Sequence, residues 1–533
     1  MRSLPIVKVV FTSVGVLFSC QLASYSQLLD QIGVTALRAV TTHLDGTGIR
    51  VAMPEGELTN NPPTFEVNPA NVGQPVSLFT YISSAGSATT YPNSLGTNSW
   101  HAEDVADYFF GPASGVATNV AHVDNYDANY FVQGYTVAGN YVVNLPAANI
   151  NDPVVNQSFG FVNVPANGQQ SFDTAYDNYA AQYHTLFVSA ANNGGPVSPP
   201  GTSYNCVSVG AYDGASSYGP TLDNGRAKPD ITAPAGETSF STPQVSGAAA
   251  LLMQASLRGD GGGDTNSAFD IRTIKALLLN GAVKPTDWTN ISPSPLDTRY
   301  GAGVLNVLNS YEQLAGGKHG YVISTTVSTG GAHPPTGATG SIAVLSGWDF
   351  NTNSSGNSSD SVNHYYFNAS NTLAGAKFNA TATLVWNRQQ NQSGINNLNL
   401  FLYNCANSNL VASSTSTVDN VEHIYLPQLA QGRYDLQVWK AGGIPGFNIV
   451  SAAEPYALTW EFFSETLSVT NLNGTPALTW PVYPAGFTVE TATRVVAPVW
   501  STGSLPLPVI ANGQNYQLLS ATNAAQFFRL RRP

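Results

Sequence analysis

The segment Thr238-Ser239-Phe240-Ser241-Thr242-Pro243-Gln244-Val245-Ser246-Gly247 runs directly into Ala248-Ala249-Ala250-Leu251-Leu252-Met253, which reads as a serine at the mouth of a helix. First-turn N–H groups lack intrahelical partners, and with the positive end of the helix dipole they can stabilise negative charge growing beside Ser239. Pro243 is tolerated in that turn for the same reason. Gly247 and the alanines allow the helix to approach a sheet closely. A plain Ser/Thr-capped buried helix has the same pattern, so this segment taken alone leaves both readings open. A hydroxyl nucleophile needs a base, and histidine has the ordinary pKa for that task. His101, in Trp100-His101-Ala102-Glu103-Asp104-Val105-Ala106-Asp107, stands near a helix start preceded by Asn98-Ser99. His43, His122, His184, His319, His333, His364 and His423 have no comparable context and read as structural. Glu103 and Asp107 stand four apart on one face of the same helix.

Such groups need a rigid frame. From about residue 47 to residue 315 short apolar runs alternate with helical patterns, predicting strands at 49–53, 119–123, 154–158, 186–190 and 206–210 and helices at 101–110, 242–254 and 271–280. That alternation is the signature of an α/β fold, a parallel sheet covered by helices. After Gly316 the chain turns to Gly, Ser, Thr and Asn with alternating strands such as Leu398-Asn399-Leu400-Phe401-Leu402-Tyr403, predicting an all-β sandwich. A small β module is expected from about Glu465, with strands at Thr479-Trp480, Phe487-Thr488-Val489-Glu490 and Phe527-Phe528-Arg529-Leu530. The expected organisation is a leader at 1–26, an α/β domain at 27–315, a sandwich at 316–464 and the terminal module at 465–533. No internal repeat is evident.

Taken in chain order, the motifs resemble those of the subtilisin-like serine peptidases, the subtilase family. Thr238-Ser239 to Gly247 is similar to the family's nucleophile motif, with Glu237 where the family has glycine and Gln244 where it has histidine. The resemblance makes Ser239 the nucleophile and His101, matched with Val105 and Ala106, its general base. Asn193, in Val188-Ser189-Ala190-Ala191-Asn192-Asn193-Gly194, looks like the family's oxyanion asparagine, although a plain Asn-Gly turn has the same look. Ser158-Phe159-Gly160 looks like the strand that pairs with an extended peptide substrate. At the acid position Gly48-Ile49-Arg50-Val51-Ala52-Met53-Pro54-Glu55-Gly56-Glu57 resembles the family's strand, with Glu55 in place of aspartate. Glu57 is the second choice, and a plain strand-end carboxylate is the competing reading. The extra methylene displaces the carboxylate by roughly 1.5 Å unless the backbone compensates, and Pro54 implies a different strand end. Further landmarks are Gly115-Val116-Ala117, Lys228-Pro229-Asp230-Ile231-Thr232-Ala233-Pro234 and Tyr300-Gly301-Ala302-Gly303-Val304-Leu305-Asn306.

The resemblance implies a serine endopeptidase acting on protein or peptide substrates through Ser239, His101, Glu55 and Asn193, with no cofactor. Residues 347–443 resemble the jelly-roll β-sandwich that follows the catalytic domain in some bacterial subtilases; calcium binding occurs there in the family, but no metal is assigned here. Two other readings stand beside it. Glu103 and Asp107 with Ser239 resemble the acid-active sedolisins, although those carry aspartate where Asn193 stands and would leave His101 without a role. A degenerate peptidase fold used only for binding is the other.

Composition narrows the partners. With a net charge of -12, a pI near 5.0 and no Lys/Arg cluster outside Arg529, Arg531 and Arg532, the chain offers no field for phosphate backbones, so nucleic acid is excluded as an expected partner. Arg2 and Lys8 precede an apolar run over 9–18 and then Ala23-Ser24-Tyr25-Ser26, the pattern of a secretory signal cleaved near Ser26. The run is too short to span a bilayer, and the expected location is outside the cell. Cys206 and Cys405 then remain, one in each half, and read as buried thiols. No long segment separates the expected signal from the first strand to serve as the propeptide usual in the family.

Overall fold

The computed structural model describes residues 2–3, 27–56, 58–59, 62–137, 140–328, 333–355, 359–371, 375–442, 452–464, 467–472, 474–481, 487–494, 498–502, 507–511, 514–519 and 526–531. Nearly all of the expected leader, and Glu57, lie outside them. Eight strands form one sheet: β1 (Arg50–Glu55), β2 (Phe79–Ser83), β3 (Gly86–Ala88), β4 (His122–Asp127), β5 (Val154–Gln157), β6 (Leu186–Ala190), β7 (Val207–Ala211) and β8 (Ile231–Ala233), in the order β8-β7-β6-β5-β1-β4-β2-β3. All pairings are parallel except β2 with β3. Strands β5, β6 and β7 are buried along their whole length, because helices cover both faces; that is why Leu186-Phe187-Val188 reads as a continuous apolar run. The chain runs outward from β1 to β2, returns through β4 beside β1, then continues on the other side through β5. Such a reversal opens a crevice at the carboxyl ends of the central strands.

The principal helices are α1 (Trp100–Phe110), α2 (Ala166–Tyr183), α3 (Thr238–Arg258), α4 (Ile271–Asn280) and α5 (Val307–Ala315). Ser99 caps α1, its Oγ accepting from the Ala102 N–H at 3.3 Å. The central helix α3 is almost entirely buried and ends at Gly259 in the left-handed region (φ 82°). Gly247 is required by a close approach, but to the loop after α1 and not to the sheet: a Cβ there would lie 2.5 Å from Val116 Cβ.

Three elements depart from expectation. Helix α3 begins at Thr238 and not at residue 242, which puts Ser239 inside its first turn. Strand β4 runs from His122 to Asp127 and not over 119–123. Its polar residues had hidden it, yet they are buried and paired: Asn125 accepts from the Val67 N–H at 2.9 Å and donates to the Met53 and Phe65 carbonyls. Helix α2 was not expected at all, because Asn167, Gly168, Thr174 and Asn178 are poor helix formers; Phe172, Tyr176, Tyr179 and Ala180 bury its inner face and override propensity.

Beyond α5 the strands are antiparallel. A five-stranded sheet (Ile323–Ser328, Ser359–Ala369, Gly432–Lys440, Leu398–Asn404, Leu410–Ser414) faces a four-stranded one (Ser346–Ser354, Ala453–Ser464, Phe378–Trp386, Val421–Leu429). Tyr365, Phe367, Trp386, Leu436 and Trp460 fill the space between them. This sandwich docks on the α/β layer through α4. Asn280 Oδ1 accepts from the hydroxyls of Thr381 (3.0 Å) and Thr383 (2.9 Å), and Asn205 and the Arg388 backbone exchange two 2.9 Å bonds. Further short strands follow, around a small core of Leu478, Trp480, Val489 and Leu530. One expectation about the thiols is corrected: Cys206 is buried, but Cys405 is only partly so, because it sits in the turn after Leu398–Asn404 and not on a strand face.

Candidate active site

The carboxyl ends of β1, β5 and β6 meet the first turns of α1 and α3. Glu55 closes β1 and is fully buried, and its Oε2 lies 2.7 Å from Nδ1 of His101, the second residue of α1. The strand runs through Pro54 to Glu55, and its end differs on its two sides. Pairing with β5 is confined to Val51 and Ala52, while pairing with β4 continues through Pro54↔Tyr126 to Glu55↔Asp127, so the missing N–H falls outside the β5 ladder. Because the carboxylate can only accept, Nδ1 carries the proton and the neutral ring keeps its lone pair on Nε2. Burial alone would push the His101 pKa down. The charge and hydrogen bond of Glu55, reinforced by Asp104 and Glu237, outweigh burial and hold it above its ordinary value.

Ser239 lies in the first turn of α3, 2% exposed. The His101 ring sits 5.9 Å from that of Phe240, the next residue, and Phe240 stacks on Tyr108 of α1 at 5.6 Å. Ser158 and Ser239 are laced together: Ser158 Oγ donates to the Ser239 carbonyl at 2.8 Å, and Ser239 Oγ donates to the Ser158 carbonyl at 3.4 Å. Ser158 in turn accepts from Asn156 Nδ2 (3.1 Å), whose Oδ1 accepts from Ser246 of α3 (2.8 Å). Sequence reading missed this brace, since its members come from β5 and α3 and share no motif. The ladder of β5 ends at Gln157↔Ser189, and Ser158, Phe159 and Gly160 continue beyond it as buried backbone. A Cβ at Gly160 would lie 2.4 Å from Ser198 Oγ.

Asn193 follows β6. Its Oδ1 accepts from both the N–H (2.8 Å) and the hydroxyl (2.7 Å) of Thr238, which fixes the amide and leaves Nδ2 to donate to Glu237 Oε2 at 3.3 Å. Asn192 before it holds φ 95°, a backbone strain of about 1–3 kcal/mol characteristic of functional turns, and its Oδ1 accepts from the Asn193 N–H at 2.8 Å. Gln244, in the family's histidine position, donates to the Pro234 (2.7 Å) and Phe240 (3.0 Å) carbonyls and braces the same turn.

Glu103 and Asp107 lie elsewhere. On a helix turning about 100° per residue they stand roughly 200° and 240° round from His101. Glu103 accepts from Asn71 (2.9 Å) and Asn98 (3.2 Å), away from Ser239. Asp107 is raised to about 6 by burial and by the neighbouring Asp104 and Glu103. Among the described residues no three His, Cys, Asp or Glu side chains converge as a metal-ligand set, and no helix is long and apolar enough to cross a membrane.

Part of the sequence matches a known family. Residues 83–303 match the family model described as the subtilase family. That stretch belongs to the subtilases. It contains His101, Asn193 and Ser239; β1 and Glu55 precede it. The match supports a serine peptidase, an enzyme class that hydrolyses peptide bonds. Among solved structures, the prenylagaramide maturation protease PagA is similar at 22% identity and a TM-score of 0.36, the match covering 53% of this chain and 98% of that one.

Proposed function

We propose that this subtilase is an exported serine endopeptidase with a Ser239-His101-Glu55 triad, and that Asn193 donates to the oxyanion. His101 Nε2 takes the Ser239 proton as Oγ attacks the scissile carbonyl carbon. The tetrahedral oxyanion is met by Asn193 Nδ2 and by first-turn N–H groups of α3. His101 then returns the proton to the leaving amine, and water attacks the acyl-enzyme by the same route. Glu55 keeps the ring in the productive tautomer and balances the imidazolium. Protein or peptide chains are the substrates, and the buried turn at Ser158-Phe159-Gly160 borders their path.

The observation that carries this reading is the buried 2.7 Å contact between Glu55 and His101, on a ring beside the Ser239 turn. A fluorophosphonate should label the wild-type protein at Ser239, while Ser239→Ala should take up none and cleave no peptide. Labelling of the alanine variant, or full activity of His101→Ala, would remove the assignment. Export rests on Arg2, Lys8 and the apolar run behind them. Amino-terminal sequencing of protein from the culture medium should find a start near Ser26; an intact leader on an intracellular product would refute it.

A further inference from the structure

One N–H of the amide that would receive the oxyanion is already committed. Thr238 holds Asn193 Oδ1 with two bonds, so the amide cannot rotate to exchange its ends without losing both, and Nδ2 points at Glu237 Oε2 at 3.3 Å. Glu237 is the residue before α3, with extended backbone (φ -147°, ψ 156°), and makes no cap bond to its own helix. Its half-buried side chain reaches across to Asn193 instead. It also stands close enough to His101 to raise that ring's pKa, which places its charge inside the site. The backbone contacts at this position do not call for a carboxylate: Phe240 and Ser241 bond to the Glu237 backbone carbonyl, a service any residue performs.

Resting on the triad reading above, we infer that the Glu237 carboxylate is a built-in competitor for the oxyanion donor, a gate that substrate must displace before the tetrahedral intermediate can use Asn193. The physical reason is that one of the two Nδ2 hydrogens is committed to Glu237, and a hydrogen so committed cannot also serve the oxyanion. A fixed negative charge beside a developing oxyanion also raises the transition state more than the neutral ground state. For a neutral substrate the gate therefore lowers kcat and leaves KM nearly untouched. Opening requires Glu237 to swing outward to solvent, to which it is already partly exposed. A substrate with a cationic side chain near the scissile bond would pair with Glu237 and open the gate as it binds.

The test compares wild type with Glu237→Gln, Glu237→Ala and the same changes in an Asn193→Ala background. Rates are read on the alkaline plateau of the pH profile, where His101 is neutral in every variant and a shift of its pKa cannot mimic the effect. Fluorophosphonate labelling of Ser239 and steady-state cleavage of a neutral and a lysine-containing peptide are both measured. Glu237→Gln and Glu237→Ala are expected to raise the labelling rate, and kcat for the neutral peptide at unchanged KM, by about five- to tenfold. Most of that gain should vanish in the Asn193→Ala background, and the advantage of the lysine-containing peptide should shrink. Wild-type labelling at Ser239 with no gain in either Glu237 variant overturns the gate and leaves the triad standing. A gain that persists undiminished without Asn193 also overturns it. Absence of Ser239 labelling in every variant overturns both the gate and the triad.

Discussion

Replacing Glu55 with aspartate, the residue its family uses, should impair this protein. Here the glutamate is reached by β1 continuing through Pro54, and its carboxylate already stands 2.7 Å from His101 Nδ1. Removing one methylene withdraws the carboxylate by up to about 1.5 Å, opening the contact from 2.7 Å to about 4 Å, beyond a hydrogen bond. A hydrogen bond to a charged group contributes about 1.5–3 kcal/mol, and its loss in the step that charges His101 lowers kcat about 10- to 150-fold. Glu55→Gln keeps the length, removes the charge and favours the wrong tautomer, so its loss should reach about a thousandfold or more. The pH profile carries a second signature. Wild-type His101 has a raised pKa, so activity falls as pH drops through a value above 6.5. Without the Glu55 charge, burial dominates, and the acid limb of the residual activity moves to lower pH. The assay is kcat and KM for a chromogenic peptide from about pH 5 to about pH 10, normalised to sites titrated with fluorophosphonate, which corrects for any unfolded fraction. Glu55→Asp within about threefold of wild type, or an acid limb unmoved in Glu55→Gln, would refute the reasoning.

Other expectations concern the surroundings of the site and the frame. Asp104 also raises the His101 pKa, so Asp104→Asn should move the acid limb down and leave plateau kcat within about twofold; an altered plateau would give Asp104 a different role. Asn280→Ala strands the Thr381 hydroxyl and the Gln313 amide oxygen and leaves the Thr383 hydroxyl only His423, which should cost about 2–4 kcal/mol in denaturant unfolding. A cost under about 1 kcal/mol would mean that water takes over those bonds. Asp152 is raised to about 8 by burial and by Asp124, so the folded chain keeps a proton that the unfolded chain releases. Its contribution to stability therefore falls as pH rises from about 4 toward about 8. Asp152→Asn should raise the thermal midpoint above about pH 7 and flatten that slope; equal midpoints across the range would refute the assignment.

Local patterns made much of this frame legible. The run at Leu186–Ala190 and the amphipathic stretch at Ile271–Asn280 need no long-range partner to be recognised. Strand β4 and helix α2 were obscured because tertiary partners make their polar residues affordable: Asn125 is satisfied by Met53, Phe65 and Val67, and Asp177 by Arg388 from the sandwich at 2.8 Å. Cys405 looked buried because a small apolar residue near a strand is usually inside; its turn leaves it half open.

The sequence by itself determined the cast: a serine at the start of a helix, a histidine near another, an asparagine after a strand, and a glutamate where a shorter acid is usual. Only the tertiary structure decided what each touches. Whether the longer Glu55 side chain meets His101 depends on where β1 ends relative to α1, and residues 46 positions apart have no shared periodicity to encode it. The Asn193–Glu237 contact spans 44 positions and arises because β6 and α3 deliver their ends to one crevice. Hydrogen bonds depend on tenths of an ångström, and those are set by the packing of whole elements and not by the identities of the residues that make them.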